Sequence, residues 1–162
     1  MNELSENSAE ERDHLLEYQT QRLQALITEM VQCCHERMER QSKAFDLPQA
    51  ELKCLMLFGD ERYLTVKGIA LKLDVAKSRV TKILEGMEKR GLITRRDDPQ
   101  DARIRLISLT PEGRRKSEAV AAFMRDTHRR ILEQMDPEER KGVFNSLETL
   151  RAAMEVVKHS IE

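Results

Sequence analysis

The chain has no tryptophan, and its four phenylalanines and two tyrosines make up 4% of 162 residues. With 8 methionines and 40% hydrophobic residues, the core must be built from aliphatic side chains, which points to a helical protein. No apolar run approaches the roughly 18 residues that a membrane span requires. The opening residues, MNELSENSAEERD, are acidic and polar where a secretory signal would be basic and then apolar. Cytoplasm is the expected location. Cysteine is scarce, and the three present, Cys33, Cys34 and Cys54, do not suggest a disulfide framework. The number is odd, two are adjacent, and reduced thiols are the simpler account. There is no glycine-rich phosphate loop, no metal-spaced His/Cys set and no nucleophile motif. These absences speak against an enzyme and against a bound cofactor or metal.

Charge is plentiful, at 35% of residues, and nearly balanced, with a net −1. The balance hides an asymmetry. From Thr65 to Arg105 there are 11 Lys+Arg and 6 Asp+Glu, a local +5, while the remainder carries 17 and 23, a local −6. A basic middle on an acidic scaffold is what a phosphate-facing module shows.

The richest stretch is LITRRDDPQDARIRLISLT, residues 92–110. Two β-type segments, Leu92–Arg96 and Ile104–Leu109, flank a polar tip, the pattern of a β-hairpin. Upstream, Thr65 can cap a helix over Val66–Leu73, with Ile69, Ala70 and Leu73 inward. Asp74-Val75 make a turn. A second helix over Ala76–Arg90 keeps Val80, Ile83, Leu84 and Met87 on one side, and Gly91 sits where a glycine C-cap belongs. A helix pair followed by a basic hairpin is the layout of a winged helix-turn-helix. The expected fold is therefore mainly α with a small β-hairpin wing, flanked by N- and C-terminal helices.

Those flanking helices have their own signals. Residues 1–11 read as a flexible N-terminus. A long helix is expected from about Asp13 to Ala44, its stripe drawn by Leu16, Leu23, Ile27, Met30, Cys34 and Met38. Pro48 fits the first turn of the next helix, which carries Leu52, Leu55, Met56 and Phe58 and stops at Gly59-Asp60. Thr110-Pro111-Glu112 opens another, running to about Met135, and Asp136-Pro137-Glu138-Glu139 opens the last with a capping-box spacing. In that helix Val143, Leu147, Leu150, Met154, Val157 and Ile161 step 4, 3, 4, 3, 4, a heptad-like seam. A winged helix already has its core, so helices at both ends are surplus to it. A dimerisation layer through Leu16, Leu23 and the Val143–Val157 seam accounts for them.

On the second helix of the pair, Lys77, Ser78, Arg79, Thr81 and Lys82 gather at the N-terminal end, where a recognition helix meets base edges and phosphates. On the hairpin, Arg95, Arg96, Arg103 and Arg105 offer four guanidiniums. An arginine at a hairpin tip suits a narrow minor groove. Asp101 can hold Arg103 through a charge-assisted bond, and Asp98 and Asp101 can also shape the turn with Pro99.

The stretch from Leu64 to Arg115 resembles the MarR family of bacterial transcriptional regulators. The likeness is carried by Leu64-Thr65, by Val80-Thr81 and by Glu88-Lys89-Arg90-Gly91-Leu92-Ile93. The wing Asp101-x-Arg103 and Leu109-Thr110-Pro111-Glu112-Gly113 complete it. The resemblance implies one MarR-type domain over about 12–160. Its parts are an N-terminal dimerisation helix (12–47), a DNA-binding lobe (48–109) and C-terminal dimerisation helices (110–162). It implies a homodimer on pseudo-palindromic double-stranded DNA, usually a repressor released by a small-molecule effector. In the cell such a protein is cytoplasmic and nucleoid-associated when bound to DNA. By the same likeness, Arg103 is the minor-groove arginine and Asp101 its partner. Two positions depart from the pattern. Ala76 stands where the family often has Ser, a lost N-cap of about 1 kcal/mol unless Asp74 replaces it. Ala102 stands where Arg is common, which implies fewer phosphate contacts.

The effector is less legible. Relatives answer to aromatic anions, oxidants or metal. A pocket between dimer helices and DNA-binding lobe would be lined by Met30, Cys34, Met38, Leu55 and Phe58, residues that core packing explains equally well. Cys33, Cys34 and His35 point about 100° apart along a helix and do not converge on one metal. The alternative functions are a thiol-based redox-sensing repressor using Cys33, Cys34 or Cys54, and a winged helix serving only protein contacts. His14, His128 and His159 read as isolated surface residues.

Overall fold

The computed structural model describes residues 3–101 and 103–160, with side chains from Glu11 onward. Ala102 and Ile161, both named above, lie outside the described residues. The elements run α1 (Glu3–Phe45), α2 (Gln49–Met56), β1 (Leu64–Thr65), α3 (Val66–Leu73), α4 (Lys77–Lys89), β2 (Ile93–Asp97), β3 (Arg105–Leu109), α5 (Pro111–Glu133) and α6 (Pro137–Lys158). This is the mainly helical, winged arrangement expected. The wing is three-stranded, in the order β1-β3-β2, all antiparallel.

The first helix departs from expectation by starting at Glu3, ten residues before Asp13. No glycine or proline interrupts the segment from Glu3 to Phe45, so nothing in it stops a helix once started. Pro48 also shifts by one place. It is the N-cap of α2, with φ −54 and ψ 142, and not part of the first turn. Of the residues expected inside the DNA-binding lobe, Leu52, Leu55, Phe58, Ile69, Val80, Leu84 and Met87 are fully buried, Ile83 is buried, and Met56, Ala70 and Leu73 are partly buried against them.

Three helices end in the same device. At the end of α4, Leu92 N–H donates to Met87 O and Gly91 N–H to Glu88 O, with Gly91 at φ 68. This is a Schellman closure, in which a left-handed residue lets the chain fold back on the last carbonyls. Helices α1 and α3 close the same way on aspartates, Asp46 (φ 49) and Asp74 (φ 53). Asp74 is thereby committed to α3. Helix α4 starts at Ala76 with no side-chain cap, so Asp74 does not replace the missing serine.

The opposite ends are well capped. Thr65 accepts from Gly68 N–H and Thr110 from Gly113 N–H, both at 3.0 Å. Asp136 and Glu139 complete a reciprocal capping box on α6. Gly113 has a further role. A Cβ there would sit 1.9 Å from the carbonyl oxygen of Leu92, so the first turn of α5 packs directly on the backbone at the start of the wing. Thr110 strengthens the junction by donating its N–H to Leu92 O and its hydroxyl to Gly91 O.

Candidate nucleic-acid interface

The wing register decides where each arginine goes. Successive strand residues face opposite sides. Arg95 is paired with Ile107 in register, follows buried Ile93 by two, and so lies on the helix-facing side of the sheet. There its Nε lies 3.1 Å from Glu88 at the end of α4, and its side chain is 21% exposed. Of the four hairpin guanidiniums, Arg95 is thus the one that strand alternation turns inward. Arg96, on the other side, stacks over the ring of Tyr63, 5.6 Å from the centroid, as Arg62 does at 5.3 Å. Arg105 pairs with Asp97 at 2.9 Å across the hairpin.

Arg103 stands at the tip with 94% of its side chain exposed. Asp101 touches it twice. Its Oδ1 accepts the Arg103 backbone N–H at 3.0 Å and lies 3.6 Å from Nε. One carboxylate thus shapes the turn and sits beside the guanidinium. Asp98 closes the other side of the tip, accepting from Gln100 N–H at 2.8 Å.

Three elements converge beside this tip. Thr65, Val66 and Lys67 from the start of α3, Lys77 from the start of α4, and Arg103, Ile104 and Arg105 from the wing line one groove of about 300 Å³. Neither α3 nor α4 has an acid in its first turn, and each places a lysine there. A cation at the positive end of a helix is unfavourable by about 0.3–1 kcal/mol. An anion seated between Lys67 and Lys77 reverses that sign and also meets the free N–H groups of the helix ends. Lys67 was missed in the sequence, although its place one residue into a helix start was the available signal.

The remaining candidates on α4 spread around its exposed side. Ser78 and Lys82 are exposed, and Thr81 donates its hydroxyl to Lys77 O at 3.1 Å. Arg79 borders a separate hollow with Gln49, Lys53, Leu73 and Val75, on the other flank of the helix from the Lys77 groove.

The five residues read as an effector pocket divide between the lobe core and α1. Leu55 and Phe58 are fully buried in the lobe core, Met38 packs at its edge, and Met30 and Cys34 are exposed on α1. Leu55 and Phe58 share their cluster with Val80, Leu84 and Met87 of α4. The thiols divide the same way. Burial, with the neighbouring Glu51 charge adding to it, pushes the Cys54 thiol up to about 12, which leaves it protonated. Cys33 and Cys34 are exposed on the single chain.

The terminal helices leave large apolar side chains uncovered. Leu16 is 61% exposed, and Leu23, Leu147, Met154 and Val157 are exposed too, while Val143 and Leu150 are half-buried. Helix α6 has no buried residue in the single chain. Among the described residues, no helix is long and apolar enough to cross a membrane.

A helix pair with a three-stranded wing, presenting basic residues from both around one groove, defines a winged helix-turn-helix protein. Residues 47–104 match the model of the MarR family. Over 113 residues the chain is 29% identical to the HTH-type transcriptional regulator YfiV of Bacillus subtilis (strain 168), covering 70% of this chain and 71% of that protein. Among solved structures, a MarR family protein from Bacillus stearothermophilus superposes with a TM-score of 0.76 at 23% identity, over 86% of this chain and 97% of that one. Streptococcus pneumoniae FabT, in complex with DNA, superposes with a TM-score of 0.70 at 22% identity, over 81% and 96%. Residues 47–104 thus match the MarR family, and the chain as a whole shares the fold of the winged helix-turn-helix structures it superposes on.

Proposed function

We propose that this chain is a sequence-specific DNA-binding transcriptional regulator acting as a homodimer, a repressor that a small-molecule effector releases from its operator. The observation that carries the DNA-binding part is the groove in which Lys67, Lys77, Arg103 and Arg105 meet from three separate elements. In this reading α4 enters the major groove. Ser78, Thr81 and Lys82 face base edges and phosphates, Thr65 and Lys77 flank the backbone, and Arg103 enters the adjacent minor groove. Arg96 and Arg105 supply charge from the wing stem. Arg95 serves from inside, by tying the wing to α4 through Glu88.

Dimerisation is supported by the large apolar residues that α1 and α6 each leave exposed on the single chain. Two copies related by a two-fold axis present two recognition helices to a pseudo-palindromic site. For the effector, the support is the likeness to the MarR family alone.

Fluorescence anisotropy with duplex DNA over a salt series tests the reading. Several phosphate contacts per half-site give a slope of log affinity against log salt on the order of −5 or steeper. A flat response would favour a winged helix used for protein contacts.

A further inference from the structure

Among the described residues, the one charged side chain that is buried belongs to Glu51, on α2. It does not line the groove of Thr65, Lys77 and Arg103. Its Oε1 lies against Gly86, in the second half of α4, where a Cβ would come within 2.3 Å of it. Its Oε2 lies 3.2 Å from Nε of Arg90, the C-cap residue of α4. Arg90 then reaches to the carbonyl of Asp46, with Nη1 at 3.5 Å, at the left-handed corner between α1 and α2. One ion pair thus joins the corner after α1, the first turn of α2 and the C-terminal end of α4.

Apolar packing already holds these helices together. Leu52 and Leu55 share a core cluster with Val80, Ile83, Leu84 and Met87. Such packing is non-directional. The ion pair, by contrast, adds a single fixed point at the end of α4, and it does not explain itself as a source of stability. Burial holds the Glu51 carboxyl above its usual 4.5, against the opposing pull of Arg90. The ionised carboxylate is therefore less at ease here than in water. Arg90 is 43% exposed and can turn to water, so neutralising Glu51 leaves no buried charge unpaired.

We propose that Glu51 and Arg90 are positioning residues for DNA binding, whose ion pair sets the tilt of α4 against the α1–α2 corner. The proposal rests on the DNA-binding reading above. Helix α4 has 13 residues and so spans roughly 20 Å. A tilt of about 5° at its C-terminal end moves its N-terminal end by about 1.7 Å, from the same helix length. That displacement is enough to take Lys77, at the N-terminal end, out of hydrogen-bond reach of a phosphate that the wing still holds.

The test uses Glu51→Gln, which keeps the size and removes the charge, and a DNA duplex selected from a random-sequence pool on the unmutated chain. Affinity is read by anisotropy at a temperature where circular dichroism shows every variant fully folded. The expected result is a loss of affinity of about three- to thirtyfold for Glu51→Gln, with a Tm equal to or above that of the parent. Arg90→Met is expected to add little to Glu51→Gln in the double variant, because either change alone breaks the same joint. General electrostatics predicts the opposite sign, since removing a negative charge favours DNA. Glu51→Gln binding as tightly as the parent, or more tightly, overturns the positioning role. So does a lowered Tm with affinity unchanged. If the unmutated chain selects no duplex at all, the DNA-binding reading fails, and the positioning role with it.

Discussion

Gly113→Ala adds one methyl group to the first turn of α5, and on helix propensity alone it should stabilise the chain by about 1 kcal/mol. The structure reverses the sign. The new Cβ would lie 1.9 Å from Leu92 O and 2.8 Å from Leu92 C, backbone atoms that no rotamer change can move. Either α5 or the start of the wing must shift by more than 1 Å from a normal contact of about 3.5 Å. Overpacking of this severity costs about 3 kcal/mol. The same shift strains the bond from Thr110 N–H to Leu92 O, now 3.0 Å, for about 1 kcal/mol more. The net expectation is a loss of about 3 kcal/mol after the propensity gain. At about 2–4 °C per kcal/mol for a chain of this size, Tm falls by about 6–12 °C. Differential scanning calorimetry of parent and variant measures it directly. A Tm that holds or rises would refute the close packing of α5 on the wing.

Three further outcomes are expected. Arg103→Ala should weaken operator binding by roughly 1–3 kcal/mol per half-site, with Tm unchanged, because its side chain is 94% exposed at a hairpin tip. Asp101→Ala should also weaken binding although it removes a negative charge, since its carboxylate accepts from Arg103 N–H and sits beside the guanidinium. Tighter binding by Asp101→Ala, with Arg103→Ala unchanged from the parent, would show that the wing carries no specificity. Leu147→Glu or Leu150→Glu should convert a dimer into monomer or aggregate in sedimentation velocity, and a monomeric parent at micromolar concentration would defeat the dimer reading. A thiol reagent applied to the native chain near neutral pH should leave Cys54 unlabelled, because its thiol is buried and pushed up to about 12. Mass spectrometry finding Cys54 modified before unfolding would overturn that placement.

What the sequence determined by itself was local and periodic. The stripe Val80, Ile83, Leu84 and Met87, the caps at Thr65, Thr110 and Asp136, and the glycine closure at Gly91 depend on neighbours within about five residues, and each was readable from spacing. So was the convergence of the helix pair and the wing, because the order of elements leaves few ways to fold them. What only the tertiary structure decided depends on partners far along the chain. Arg95 turns inward because its strand pairs with β3, and Glu88 waits there. Leu55 and Phe58 are fully buried because they join Val80, Leu84 and Met87 of α4 in one cluster. Glu51 was legible only as an acid near a helix start. Its burial against Gly86 and Arg90 follows from the crossing of two helices. Periodicity shows that a residue has a buried side, but it carries no information on which distant backbone or charge will be found there.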